Sequence, residues 1–181
     1  MPYYYNKLNQ KIAYNFIKGK SPGIIFIHGL NSDMKGNKAL SIQKYAKKRG
    51  FSFLRFDCRG HGNSYGEFKN FTISDWKQDL IEIIDNVVKG PQILIGSSMG
   101  GWLMLLAAKS RNSRIAGLIG LAAAPDFTKD LFEELSQNKK KEILKKGIVS
   151  IKKSDHKYTF TKKFFKEIKK NLVLKNKIFF N

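Results

Sequence analysis

The sequence predicts an α/β fold, a mostly parallel sheet with helices on both faces. Three observations carry that expectation. Short, wholly apolar runs of the kind buried on both sides of a sheet recur as far as Leu121. Between them lie stretches whose apolar residues fall at helical spacing. The two kinds of segment alternate, which is how helices connect neighbouring parallel strands.

Taken in order, Lys11 to Ile17 reads as an opening strand, with Ile12, Tyr14 and Phe16 alternating with Ala13, Asn15 and Ile17. After Ser21-Pro22-Gly23, the run Ile24-Ile25-Phe26-Ile27 is a buried strand that stops at the turn-rich loop His28-Gly29-Leu30-Asn31-Ser32-Asp33. Lys38 to Arg49 carries Ala39, Leu40, Ile42, Tyr45 and Ala46 at helical spacing, and Gly50 ends it. Phe51 to Asp57 is strand-like, followed by a glycine-rich loop from Arg59 to Gly66. Ser74 is the expected N-cap of a helix reaching Val88, which Lys89-Gly90-Pro91 breaks. Ile93-Leu94-Ile95 is a third buried strand, Met99 to Lys109 a helix apolar nearly all round, and Ile115 to Leu121 a fourth strand ending at Ala122-Ala123-Ala124-Pro125-Asp126.

The chain's 181 residues, 42% of them hydrophobic, suffice for one well-cored domain and argue against disorder. Cys58 has no second cysteine to pair with, so a disulfide-stapled domain is excluded. No apolar run approaches the roughly 20 residues of a membrane span. The N-terminus lacks the apolar block of a secretory signal, and a strand is the better account of it, so a reducing, cytoplasmic setting is expected. Nothing in the sequence sets the oligomeric state.

The net charge of +20 comes from 34 basic residues, of which only five are arginine. Arginine is the residue that reads bases and phosphates bidentately, whereas lysine is a point charge. Lysine abundance beside many Ile, Asn, Phe and Tyr fits the codon drift of an A+T-rich genome, and no nucleic-acid partner is expected. The charge is uneven, residues 129–181 carrying +10 in under half the length of residues 1–128, which also carry +10. That shift divides the chain into a core over 1–128, a Lys-rich helical cap over 129–175, and the beginning of a further strand region over 176–181. The cap is expected to hold helices near Leu131–Lys146 and Thr161–Lys170 rather than more sheet. An alternative reading makes its Lys-rich stretch, 139–170, a polyanion- or membrane-surface-binding segment.

Gly96-Ser97-Ser98-Met99-Gly100 matches G-x-S-x-G, follows a strand immediately and opens a helix. A nucleophile elbow needs that context: the glycines permit a tight turn and close helix–strand approach, and the serine Oγ is left exposed at the sheet's C-terminal edge. Ser98 is therefore the candidate nucleophile. The oxyanion hole is expected from the backbone N–H of Met99 and of Leu30, with Gly29 letting the chain come close. His28 and His61 read as loop-bracing residues rather than bases, and Cys58 as a small packed residue.

Together these residues resemble the α/β-hydrolase superfamily. Ser32-Asp33-Met34-Lys35-Gly36, Gly60-His61-Gly62-Asn63-Ser64-Tyr65-Gly66 and the elbow with its following Gly101-Trp102-Leu103-Met104-Leu105 are similar to one branch of it, which includes bacterial relatives of a mitochondrial palmitoyl-protein thioesterase. The likeness runs from about Ile12 to Leu174. It implies hydrolysis of a small acyl ester or thioester, or of an acylated protein, through an acyl-enzyme on Ser98 without metal or cofactor. In that superfamily an acid and a histidine follow the serine, in loops after the last two strands. Here Ile178-Phe179-Phe180-Asn181 stands where the strand leading to the acid should begin. The resemblance thus leads to the expectation of a C-terminally shortened hydrolase, with its last strands and its triad acid and base missing, weak or inactive as given, and with an unpaired sheet edge. His156 is the one histidine after Ser98, in a hydrophilic connector with no strand before it; an atypical Asp126/His156 pair is the alternative that would preserve activity.

Overall fold

The computed structural model describes residues 1–153, 156–175 and 177. The chain runs β1 (Tyr3–Tyr5), β2 (Lys11–Ile17), β3 (Lys20–Ile27), α1 (Asn37–Arg49), β4 (Phe51–Phe56), α2 (Ile73–Asn86), β5 (Gln92–Ser97), α3 (Met99–Ser110) and β6 (Ile115–Leu121). Then follow α4 (Phe127–Glu133), α5 (Gln137–Lys146), β7 (Ile148–Lys153), β8 (His156–Thr161) and α6 (Lys162–Lys166). The first six strands form one sheet in the order β1-β2-β4-β3-β5-β6. Strands β4, β3, β5 and β6 are parallel; β1 and β2 add an antiparallel edge, with Tyr14 opposite Phe56.

The apolar run in β3 is explained by its two buried faces. Ile25 and Ile27 point into the larger apolar cluster with α2 and α3, while Ile24 and Phe26 point the other way to Ala39 and Ala46 of α1. Helix α3 is apolar all round because it lies between the sheet, α2 and the cap, with Trp102 and Leu103 fully buried. Helix α1 ends as its glycine requires: Gly50 adopts φ 72° and donates its N–H to the Ala46 and Lys47 carbonyls.

Three expectations need correction. Helix α2 starts at Thr72, not Ser74, and the reason is the third residue on. Thr72 is followed by Asp75, whose carboxylate accepts the Thr72 N–H at 2.9 Å in a reciprocal capping box, whereas Ser74 is followed by Lys77. The cap is not purely helical either. Leu135-Ser136 separates α4 from α5, with Ser136 Oγ accepting the Lys139 N–H, and α6 gives way to a 3-10 turn at Ile168–Lys170. Between α5 and α6 lies a β-hairpin, β7 against β8, in which Val149 faces Phe160 and Ile151 faces Tyr158. A strand, Ile148–Lys153, therefore precedes His156 in the chain, and His156 opens the next one; its side chain lies outside the described residues. Of the strand region expected over 176–181, only Lys177 is described.

Cap and core share one apolar cluster. Leu135, Ile143, Val149, Phe160 and Phe164 pack with Trp76, Trp102 and the inner face of the sheet, and Trp102 Nε1 donates to the Asn171 carbonyl at 2.9 Å. Among the described residues β6 is the last strand of the sheet, and Ile119 on it is 47% exposed.

Candidate active site

The G-x-S-x-G segment forms a sharp strand-to-helix turn. Ser98 stands between the end of β5 and the first residue of α3 with φ 51° and ψ −116°, a conformation an L-residue holds only when its surroundings over-determine it. They do so here. Ser98 N–H donates to the Leu121 carbonyl at 3.1 Å, and its own carbonyl accepts from Gly101 at 2.9 Å and Ala124 at 3.1 Å. The flanking glycines are fixed by close approach. A Cβ on Gly96 would lie 2.6 Å from Gly101 Cα, and one on Gly100 would lie 2.6 Å from the His28 carbonyl oxygen.

Ser98 opens into a cavity of about 380 Å³. Leu30, from the loop after β3, and Ala124 lie beside it; Phe127 and Leu131 of α4 and Ile151, Tyr158 and Phe160 of the hairpin supply most of the remaining wall. The Met99 N–H, at the first helical position, has no carbonyl four residues back in the helix. Leu30 is brought to the serine by the thin chain at Gly29, where a Cβ would sit 3.3 Å from the Ser97 carbonyl oxygen. Asp130 on α4 and Glu134 at its C-terminal end, one helical turn apart, are two further cavity residues that sequence reading did not single out. Their signal was their spacing with Phe127 and Leu131, recognisable only once the helix is known to cover the serine.

Neither His28 nor His61 lines this cavity, and both rings are used in bracing. His28 Nε2 accepts the Cys58 N–H at 3.0 Å while Nδ1 faces the Gly29 carbonyl at 2.8 Å. His61 Nε2 accepts the Asn31 N–H at 3.3 Å and Nδ1 faces the Arg59 carbonyl at 3.3 Å. In each ring one nitrogen accepts, so both imidazoles are neutral. Burial pushes both pKa values down, His61 to about 3, with the neighbouring His28 ring, 4.8 Å away between centroids, adding to the effect.

Asp57 ties the same two loops together. Its carboxylate accepts from the Met34 N–H at 2.7 Å and the Asn63 N–H at 2.9 Å, and burial raises its pKa. The glycine-rich loop is anchored to α2 by Arg59, whose Nε meets Asp79 at 2.6 Å and whose N–H donates to the same carboxylate at 2.8 Å. Cys58 is fully buried, and burial holds its thiol well above the ordinary range, so it packs and does not react. Asp126 also has a structural occupation. Its carboxylate accepts from Val173 N–H at 2.9 and 3.1 Å and from Leu174 N–H at 3.0 Å, fastening the chain after α6 to the start of α4.

Comparison with known proteins agrees with the fold. The family model described as serine aminopeptidase, S33, matches residues 20–178. A Bos taurus palmitoyl-protein thioesterase ABHD10, mitochondrial, is 47% identical over 137 residues, which are 76% of this chain and 45% of that protein. The Rattus norvegicus protein of the same name is 41% identical over 170 residues, 92% of this chain and 57% of its own length. The chain thus spans about half the length of the curated relatives it matches. Among solved structures, the mouse α/β hydrolase domain-containing protein 10 superposes with a TM-score of 0.88 at 38% identity, covering 98% of this chain and 72% of that one. A putative hydrolase from Agrobacterium vitis gives 0.89 at 31% identity, covering 97% and 72%.

Proposed function

Because the chain belongs to the α/β-hydrolase family, we propose that Ser98 is its nucleophile and that it acts on acyl esters or thioesters, including acylated proteins. The observation that carries this reading is the pinned positive φ of Ser98 at the mouth of a cavity with an apolar wall. The Ser98 hydroxyl oxygen attacks the acyl carbonyl carbon, and the resulting oxyanion accepts hydrogen bonds from the Leu30 and Met99 N–H groups. Collapse expels the thiol or alcohol, the proton lost by the serine passing to it through water, and leaves an acyl-serine, which water hydrolyses to the free acid. The acyl chain lies between Phe127, Leu131 and Phe160. The cysteine without a disulfide partner supports a reducing, cytoplasmic setting, although the named relatives are mitochondrial.

We further propose that residues 1–181 by themselves turn substrate over slowly. Among the described residues no histidine lines the cavity, and its carboxylates, Asp130 and Glu134, are weaker bases toward a serine hydroxyl than an imidazole. Loss of a triad histidine costs on the order of 10⁶ in turnover, with roughly 10³ over water remaining from the oxyanion hole and binding. The Asp126/His156 alternative is disfavoured, since the Asp126 carboxylate is already shared by two backbone donors. A fluorophosphonate probe tests both statements. Slow, stoichiometric labelling at Ser98, abolished in Ser98→Ala, is expected, with acyl-thioester turnover barely above background. Label on another residue, or none after prolonged exposure, overturns the nucleophile; rapid turnover that His156→Ala abolishes restores the alternative.

A further inference from the structure

Helix α4 has two working faces. Phe127, Asp130, Leu131 and Glu134 follow the helical repeat toward the Ser98 cavity, while Lys129, Phe132 and Glu133 lie on the opposite side. On that outer side two shallow grooves adjoin, of about 190 and about 470 Å³, and Phe132 and Phe165 belong to both, their ring centroids 5.1 Å apart. The floor continues through Ile143 and Leu144 at one end and Ile168 and Leu172 at the other. Leu144 is 63% exposed, although α5 could have buried it or carried a polar residue there.

The rim of this apolar strip is strongly cationic. Lys162 and Lys166 border one groove, and Lys129, Lys169 and Lys175 the other. Among the described residues Glu133 is the single acidic one lining either groove, and Lys129 lies 3.8 Å from it. Lys140 adds a further ammonium 5.9 Å from the Phe132 ring centroid. The +20 net charge alone would give a diffuse attraction to any polyanion. A lysine rim around an apolar floor is more specific: it matches a surface that presents anionic headgroups beside exposed hydrocarbon.

We propose that this outer face of the cap docks onto an anionic lipid bilayer. The lysines meet the headgroups, and Leu144 and Phe132 enter the interface. The inference stands on the outer face alone, whether or not Ser98 reacts. It gives α4 a second role, since the helix that lies on the membrane also lines the cavity.

Vesicle co-sedimentation tests it, with phosphatidylcholine alone and with phosphatidylcholine containing roughly one third phosphatidylserine. Binding to the anionic vesicles is expected, weakening as salt rises. Each lysine near such a surface contributes about fivefold in affinity, so Lys166→Glu/Lys169→Glu should weaken binding at least about 25-fold. Leu144→Ser should weaken it about fivefold. A control with the same change in charge, Lys44→Glu/Lys48→Glu on α1, should shift binding far less. Thermal melting of each variant verifies that it is folded. Equal losses in the control, indifference to Leu144→Ser, equal binding to neutral vesicles, or no binding at all would each overturn the proposal. So would full competition by single-stranded RNA with no effect of Leu144→Ser, which would identify a charge-only polyanion surface.

Discussion

Replacing His61 by glutamine should remove a proton-linked part of the folding free energy. In the folded protein the His61 ring is neutral, 6% exposed, with its pKa pushed down to about 3 by burial and by His28. In the unfolded chain the same ring titrates near 6.5. At pH 7.5 the ring is neutral in both states and contributes its full packing and its bond to Asn31. As the pH falls below about 6.5, the unfolded chain takes up a proton that the folded chain refuses, so stability is lost at about 1.36 kcal/mol per pH unit. Between pH 7.5 and pH 5.0 the loss from this one group is about 2 kcal/mol. A glutamine side chain at this position cannot titrate, and its amide still offers an acceptor to the Asn31 N–H. The stability gap between wild type and His61→Gln, measured by urea unfolding at the two pH values, should therefore narrow by about 2 kcal/mol at pH 5.0. Groups common to both proteins and uncoupled to His61, Asp79 among them, cancel in the comparison. A gap constant within about 0.5 kcal/mol would refute a neutral, buried His61.

Three further outcomes follow from the same contacts. Gly100→Ala would force a Cβ against the Ile27 and His28 carbonyls, so the elbow must shift; a loss of about 1–3 kcal/mol in melting and the disappearance of fluorophosphonate labelling are expected. Asp126→Ala leaves the Val173 and Leu174 N–H groups without their acceptor and should cost about 1–3 kcal/mol, while the Ser98 labelling rate is expected to persist; a lost rate in a folded variant would make Asp126 part of the chemistry. Asp79→Ala strands a buried Arg59 guanidinium and should cost about 3–5 kcal/mol by denaturant titration; a cost below about 1 kcal/mol would mean that the guanidinium finds water.

Much of the sheet was legible because its signals are local and one-sided in meaning. The runs Ile24–Ile27 and Ile93–Ile95 have no polar residue to place outward, and only a strand covered on both faces accepts them. The antiparallel edge was not visible in the same way: Lys11–Ile17 reads as a strand, but no local feature sets the direction of its partner β4, and Tyr3–Tyr5 is too short to stand out. The hairpin of the cap was missed for a different reason. Val149 and Ile151 alternate with Ser150 and Lys152, and Tyr158 and Phe160 with Lys157 and Thr159, but the lysines around His156 made the stretch between the two expected helices read as a hydrophilic connector. At the site, the strand–glycine–serine–helix arrangement is local, and Ser98 does stand between β5 and α3. The apolar wall and the pair Asp130 and Glu134 could not be located, since they depend on how the cap folds back over the sheet. The two bracing histidines were recognisable as loop residues, but their joint tie to Cys58 and Asn31 exists only in three dimensions.

Strand β6 leaves the outer row of its amides and carbonyls turned away from any described neighbour, beside the half-bared Ile119. Such a border is a template on which a foreign extended segment can lie down. Within the described residues that border is where a further strand would lengthen the sheet beside β6.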